Sequence, residues 1–202
     1  MEQKVRKGEE LNEINLKNFL KENDLISDIK SELKVLQFSN GFSNLTYSLT
    51  IENKEYVIRK PPKGAVYGHD MSREFKVLKG LNNGFDKAPI AYAYSEDNSI
   101  IGTSFYIMEK VNGKIITPRE FKERSIPNED YSTISKTWLK TFVELHNLDF
   151  SKLGLSDLGK PDGYVERQVR NWGKQYLKAA TDDIKESELI MNWLNENQPK
   201  QY

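Results

Sequence analysis

The sequence contains no cysteine and only two histidines, His69 and His146, among its 202 residues. The absence of cysteine excludes disulfides, thiolate catalysis and cysteine-based zinc sites. Two histidines are too few for a histidine-rich metal site, so the composition excludes that class as well. A chain without cysteine fits a reducing compartment, and we predict a cytoplasmic protein.

An excess of one charge and long apolar runs are also lacking. Thirty basic and thirty acidic residues cancel, so no bulk field would attract nucleic acid or an anionic membrane. No stretch approaches the roughly 20 apolar residues that span a bilayer, and the charged N-terminus has no apolar segment typical of a secretory signal. We therefore expect neither nucleic acid nor a membrane as partner. A hydrophobic content of 37% still indicates a folded chain.

The spacing of apolar residues predicts an α+β fold. Helical spacing between Leu11 and Leu25 indicates an amphipathic helix, and strict alternation over 45–51 indicates a half-buried strand. A second helix is expected to begin near Asp70 or Ser72, either of which could cap it. Further strands are predicted at 34–38, 56–60, 91–94 and 104–110, the last two joined by a turn at 96–98.

Beyond Gly113 the spacing becomes helical, as in the series Tyr131, Ile134, Trp138, Phe142 and Leu145. The predicted organisation is therefore an antiparallel-sheet N-lobe at 1–111, with an N-terminal helix and one main helix. The beginning of a helical C-lobe follows at 112–202.

The loop from Ser39 to Asn44 lies between two predicted antiparallel strands. Small residues there would let backbone amides approach an anion, and Gly41 could adopt a positive φ without a Cβ clash. Ser43, Asn44 and Thr46 add side-chain donors to the same segment. These features favour a phosphate-binding loop, and an ordinary hairpin loop is the alternative.

The next strand carries two adjacent cations. Alternation places Val57 and Arg59 on one face and Ile58 and Lys60 on the other. In kinases an apolar residue under the adenine lies two positions before the cation that reaches the phosphates, and Val57 and Arg59 have that spacing. A guanidinium binds phosphate oxygens bidentately, which favours Arg59, with Lys60 as the second choice. Two solvated charges at a strand end are the alternative.

Two later segments extend this pattern. Glu74 lies one turn into the next predicted helix, where kinases need a carboxylate to orient the phosphate-binding cation. The backbone of Glu109 and Val111, at the end of the last strand, is expected to pair with the adenine edge, with Met108 at the back of the pocket. The alternatives are an exposed helical glutamate and a strand edge that leads into a turn.

Three segments in combination, 38–47, 56–62 and 73–78, resemble the aminoglycoside phosphotransferase/choline kinase-like family. They are most similar to its kinase-like domains that occur alone in bacteria or joined to acyl-CoA dehydrogenases, and the resemblance extends from about Val35 to the C-terminus. It implies a protein-kinase-like α+β fold. It also implies an ATP- or GTP-dependent phosphotransferase that acts, with Mg²⁺, on a small-molecule hydroxyl.

The chain departs from the family at the catalytic loop, because it contains no His-Gly-Asp, no magnesium-binding Asn after it and no matching downstream Asp. His146 resembles the family's structural Leu-His motif instead. Asp157 is expected in a turn, and Asp182 at a helix start. We therefore assign no catalytic and no metal-binding residue.

These observations predict an N-terminal portion of the family's domain, without meaningful turnover alone and prone to self-association through exposed helical faces. A non-catalytic nucleotide- or partner-binding module is the alternative. A third interpretation, an unrelated α+β binding domain, requires that the predicted order of strands and helices is mistaken.

Overall fold

Six strands form one antiparallel sheet within the part of the chain that the structure describes. The computed structural model describes residues 2–39, 43–64, 70–116, 123, 127–160 and 162–199. Neighbouring strands follow the order β1-β2-β3-β4-β6-β5 across the sheet. In chain order they are β1 (Glu2–Gln3), β2 (Lys34–Phe38), β3 (Leu45–Ile51), β4 (Lys54–Lys60), β5 (Ala91–Ser95) and β6 (Phe105–Glu109).

The helices of the described ranges are α1 (Glu13–Glu22), α2 (Met71–Leu81), α3 (Asn98–Ile101), α4 (Asn128–His146), α5 (Tyr164–Ala179) and α6 (Lys185–Glu196). The side chain of Asn12 caps α1, and that of Asp70 caps α2 by accepting from the N–H of Arg73. A cap of this kind satisfies a donor that the helix itself leaves unpaired. These elements confirm the predicted α+β fold with an antiparallel sheet and one main helix.

The hydrophobic core lies between α1 and one face of the sheet. Leu16 and Leu20 are fully buried on the inner side of α1, and Phe19 packs edge-on against Phe105 of β6 with ring centroids 5.0 Å apart. Alternation along the strands then sends the residues in between to the opposite face. The central strands contribute Tyr47, Leu49, Ile58 and Ile107 to this core.

The hairpin between β3 and β4 is tighter than the predicted polar turn. Ile51 pairs with Lys54, and the residues between them, Glu52 and Asn53, have φ values of 50° and 59°. Two successive positive φ values are typical of a type I′ turn, whose twist matches that of the flanking strands. Strand β4 therefore begins at Lys54, before the predicted start at Tyr56.

A short helix stands between β5 and β6, where the sequence predicts only a turn at 96–98. Asp97 caps α3 by accepting from the N–H of Ser99 at 2.8 Å, and Gly102 ends it at φ 85°. The side chain of Asn15 on α1 donates to the carbonyl of Ser99 at 2.8 Å. The segment between β5 and β6 is thus hydrogen-bonded to α1 and is not an open loop.

The chain divides into two compact units, Met1–Leu155 and Ser156–Tyr202. In the second unit, α5 and α6 contact each other, and Gly173 of α5 faces Met191 of α6. This division does not test the lobe boundary predicted after Val111, which stays a prediction. None of the helices in the described ranges has both the length and the apolar composition needed to cross a membrane.

Candidate functional site

A polar strip crosses three neighbouring strands on the sheet face that turns away from α1. The register pairs Thr46 of β3 with Arg59 of β4, and Arg59 with Tyr106 of β6. Cross-strand partners lie on the same face, so these three side chains stand side by side. Val57 pairs with Met108 two residues further along the same strands, which places an apolar pair beside the polar strip.

Helix α2 brings a carboxylate to this face. Glu74 lies in its first turn, and the helix contacts β5 and β6. Phe75 stacks on Tyr94 with ring centroids 5.7 Å apart and lies 6.3 Å from the ring of Tyr106. These aromatic contacts hold the start of α2 against the sheet, and Glu74 is thereby placed next to Arg59.

The Glu74 carboxylate is held by contacts to three side chains. Its Oε2 lies 3.4 Å from Nε of Arg59 and accepts a hydrogen bond from the Tyr106 hydroxyl at 3.0 Å. Its Oε1 accepts from Nδ2 of Asn44 at 2.9 Å. Both oxygens are therefore engaged, and the plane of the carboxylate is fixed relative to the sheet.

The Arg59 guanidinium is buried at its inner end. The side chain is 35% exposed, yet its Nε atom is buried and makes no hydrogen bond to the described residues. Its contact with Glu74 is thus an ion pair without a hydrogen bond. Because Nε is buried, the two terminal nitrogens are the groups of this guanidinium that can meet a ligand, and they form a fork that suits phosphate oxygens.

Tyr106 is a neutral donor in this network. Its side chain is almost completely buried, and that burial raises the pKa of the hydroxyl, an effect that Arg59 opposes and Glu74 reinforces. The pKa remains above the ordinary value for tyrosine, so the hydroxyl keeps its proton at neutral pH. It can therefore donate to Glu74 throughout the physiological range.

A cavity of about 450 Å³ opens beside these groups. Arg59 and Arg73 supply cations to its lining, while Val77, Leu78 and Met108 supply an apolar wall. A volume of this order falls within the range of small-molecule sites, about 300–1,000 Å³. The combination suits a ligand with one apolar part and one anionic part.

Lys60 lies on the other face of β4, away from Glu74. It lines a separate cavity of about 350 Å³ together with Gly8 and Glu9. Burial lowers the pKa of Lys60, and the nearby Glu9 carboxylate partly offsets that effect. The two adjacent cations are thus separated by the strand, and Arg59 is the one that stands beside the carboxylate.

The loop that precedes β3 is described only in part, and Gly41 lies outside the described residues. Ser43 is exposed, and Thr46 is half-buried beside Arg59. Asn44 is 7% exposed, and its amide nitrogen donates to Glu74. Asn44, which the sequence predicts as a phosphate-loop donor, therefore donates to the Glu74 carboxylate in the structure.

At the end of β6, the backbone N–H of Glu109 is hydrogen-bonded, whereas Val111 is exposed. The N–H of Glu109 donates to the carbonyl of Ile90 at 2.8 Å, and its carboxylate accepts from the N–H of Ile90 at 3.1 Å. The Glu109 amide is thus already used. Val111, beyond the strand, is 62% exposed, and Met108 faces the cavity.

Two residues of this region have no role in the sequence-based prediction. Tyr106 lies two positions before Met108, so strand alternation could have placed it on the Arg59 face. Lys110 forms ion pairs with Glu2 at 2.8 Å and Glu55 at 2.6 Å. These pairs join the residue that follows β6 to β1 and β4. Hydrogen bonds to the same two carboxylates raise the pKa of Lys110. No local sequence signal indicates these long-range pairs.

The residues that resemble catalytic groups lie elsewhere. His146 ends α4, where its Nδ1 lies 2.8 Å from the carbonyl oxygen of Phe142 and its ring is 4.0 Å from the Phe142 ring. Asp157 and Asp182 lie outside the helices, before α5 and α6 respectively. Within the described residues, no group of three or more His, Cys, Asp or Glu side chains could hold a metal ion.

Comparison with known proteins identifies relatives along most of the chain. Residues 34–202 match the profile of the phosphotransferase enzyme family, APH. The chain is 37% identical over 175 residues to acyl-CoA dehydrogenase family member 11 of Rattus norvegicus, covering 86% of the chain and 22% of that protein. It is 34% identical to acyl-CoA dehydrogenase family member 10 of Mus musculus, covering 84% of the chain and 16% of that protein. The chain thus spans about a fifth of these relatives.

A solved structure has the same fold. It is a crystal structure at 2.32 Å resolution of a protein from Ralstonia eutropha JMP134, provisionally named an aminoglycoside phosphotransferase. The TM-score is 0.71 at 29% identity, and the match covers 95% of this chain and 55% of that protein's chain. The predicted protein-kinase-like fold and the family resemblance are both confirmed.

Proposed function

Because the chain belongs to the phosphotransferase enzyme family, we propose that it binds ATP or GTP on the Arg59 face of its sheet. The observation that carries this proposal is the ion pair between Arg59 and Glu74 beside an open cavity. The pair reproduces the cation and helix carboxylate with which kinase-like sites hold nucleotide phosphates.

The predicted site residues would hold such a nucleotide as follows. Val57 and Met108 would enclose the base, and the backbone near Glu109 and Val111 would meet its edge. The terminal nitrogens of Arg59 would bind phosphate oxygens, where Ser43, Thr46 and the backbone at Gly41 would add donors. When bound, ATP supplies the phosphoryl group, and these residues bind and orient it.

The described residues account for magnesium less well than for the nucleotide. Because those residues contain no cluster able to hold a metal ion, we propose that Mg²⁺ enters with the nucleotide phosphates. The acceptor is a small-molecule hydroxyl, and the relatives named as acyl-CoA dehydrogenases make a hydroxyacyl compound the first acceptor to test.

Titration with Mg-ATP tests the binding role, since the chain offers a matched pair of cations. Arg59→Ala removes the guanidinium beside Glu74, whereas Lys60→Ala removes the neighbouring charge on the other face. We expect calorimetry to show at least about 10-fold weaker binding for Arg59→Ala, because a charge-assisted contact is lost, and little change for Lys60→Ala. The reverse order would assign the phosphates to Lys60.

The chain is proposed to lack meaningful turnover by itself, since the sequence contains no His-Gly-Asp. Loss of a positioned general base typically costs about 10²–10⁴-fold in rate. Incubation with γ-labelled ATP and a panel of hydroxy compounds should give no labelled product. Labelled product made by the purified chain would overturn this part of the proposal.

A non-catalytic nucleotide-binding module is the second candidate, and the same missing motif favours it. It predicts the same binding and the same absence of transfer. Addition of a polypeptide that carries a family catalytic loop separates the two candidates, because restored transfer would support a kinase portion.

A further inference from the structure

The hydrogen bonds around Glu74 are arranged so that both carboxylate oxygens are taken by neutral donors. Nδ2 of Asn44 holds Oε1 at 2.9 Å, and the hydroxyl of Tyr106 holds Oε2 at 3.0 Å. These donors come from β6 and from the segment before β3, on either side of the strand that carries Arg59. A glutamate side chain has several freely rotating bonds, and bonds to both oxygens remove that freedom.

Arg59 is the looser partner in this group. Its Nε is 3.4 Å from Oε2, whereas the Tyr106 oxygen is 3.0 Å from the same atom. Both neutral donors are thus at hydrogen-bond distance from the carboxylate, whereas the Nε contact is a longer ion pair.

We propose that Tyr106 and Asn44 are positioning residues, which fix Glu74 so that Arg59 presents its terminal nitrogens to a phosphate group. This inference rests on the proposed nucleotide function. The ligand group is a di- or triphosphate, since only the phosphates of a nucleotide meet the guanidinium. Glu74 acts on the ligand through Arg59, and the two neutral donors act through Glu74.

The Tyr106 ring has a separate packing role, which a conservative substitution preserves. The ring is 1% exposed and lies 6.3 Å from the Phe75 ring. Tyr106→Phe keeps this ring and removes the hydroxyl, which donates to Glu74 and also interacts with the Arg59 guanidinium. Tyr94→Phe is the matched control, because Tyr94 also contacts Phe75 but donates its hydroxyl to Glu96.

The first experiment is a double-mutant cycle with Mg-ATP. Wild type, Tyr106→Phe, Arg59→Ala and the double variant are titrated, together with Tyr94→Phe. We expect Tyr106→Phe to weaken binding about 10-fold in the wild-type background and to have no further effect in Arg59→Ala, since the hydroxyl acts through the guanidinium. Tyr94→Phe should bind as wild type does.

A second readout is independent of nucleotide. In the ligand-free protein, the ¹⁵N-resolved Nε–H signal of Arg59 should shift and broaden in Tyr106→Phe and stay in place in Tyr94→Phe. An unchanged Arg59 signal, or equal losses of affinity in both backgrounds of the cycle, would overturn the positioning role. Failure of the wild type to bind ATP, with a shifted Arg59 signal, would instead reject the nucleotide function and with it the phosphate-directed role.

Discussion

Glu52 stabilises the segment between α1 and β2 through its carboxylate. The carboxylate accepts hydrogen bonds from the N–H groups of Ser27 and Asp28, at 2.9 and 2.6 Å, and from the hydroxyl of Ser31 at 3.2 Å. The two backbone bonds, followed by the bond from Ser31, lower the pKa of Glu52 below its ordinary value. They favour the charged form, so the stabilisation they give depends on pH.

The sign of that dependence follows from the lowered pKa. The contribution of Glu52 is fully present above the unfolded-state pKa, about 4.3, and is lost as pH falls through the lower folded-state pKa. We expect the urea midpoint of wild type to fall more steeply below about pH 4.3 than that of Glu52→Gln. Glu22→Gln is the control, since the Glu22 side chain is exposed at the end of α1. Parallel curves for wild type and Glu52→Gln would contradict the role of Glu52.

The candidate site shows which single residues a sequence can predict. Alternation along β4 is a local property, so it separates Arg59 from Lys60 without reference to the rest of the chain. The partners of Glu74 are not local. Asn44 and Tyr106 meet it only because α2 packs on the sheet at one position. Spacing along the sequence does not predict where that position lies.

At the scale of the element, α2 depends on a close approach at its C-terminal end. A Cβ built on Gly80 would lie 2.5 Å from Cδ2 of Leu155 and 2.9 Å from the carbonyl oxygen of Leu153. A methyl group cannot fit against a backbone oxygen at that distance unless the helix or the loop shifts. Packing thus requires glycine at position 80, although glycine has a low helix propensity.

Gly80→Ala therefore has two opposing effects. Alanine gains about 1 kcal/mol in helix propensity, whereas forced overpacking costs about 1–3 kcal/mol, so we expect a net loss of stability. Gly173→Ala is the matched control on α5, where the nearest atom, Sδ of Met191, would lie at an ordinary 3.4 Å. That variant should be unchanged or more stable. Urea denaturation measures both, and a Gly80→Ala variant as stable as wild type would contradict the close contact.

The elements themselves were predictable where periodicity extends over several residues. Strand β3 alternates over seven residues, the main helix has helical spacing, and β6 is an apolar run that ends in Glu109. The short elements were not. Strand β1 is formed by Glu2 and Gln3, which pair with Phe38 and Gln37, and α3 is a single turn started by Asp97. Both depend on contacts with distant parts of the chain.

At the scale of the whole molecule, the helices that follow the sheet leave large apolar side chains in solvent. On α4, Trp138 is 64% exposed and Phe142 45% exposed. In the second compact unit, Trp172 of α5 is 65% exposed and Trp193 of α6 61% exposed. Exposed apolar clusters of this kind are typical of surfaces that associate.

We therefore predict concentration-dependent self-association. Sedimentation velocity over a range of concentrations should show a rising mean sedimentation coefficient for wild type. Trp172→Glu should reduce association if α5 and α6 contribute, while Lys174→Glu, a charge change on the same helix, serves as the control. A wild type that remains a monodisperse monomer at all concentrations would contradict the prediction.

We propose that a nucleotide lies on the Arg59 face, with its base near the end of β6. Photolabelling with 8-azido-ATP and peptide mapping by mass spectrometry locates the base directly. We expect the label to be found on residues 105–116, and we expect excess ATP to prevent this labelling. Label on the opposite face, at residues 8–10, 60–64 or 101–103, or labelling that ATP does not prevent, would contradict the claim.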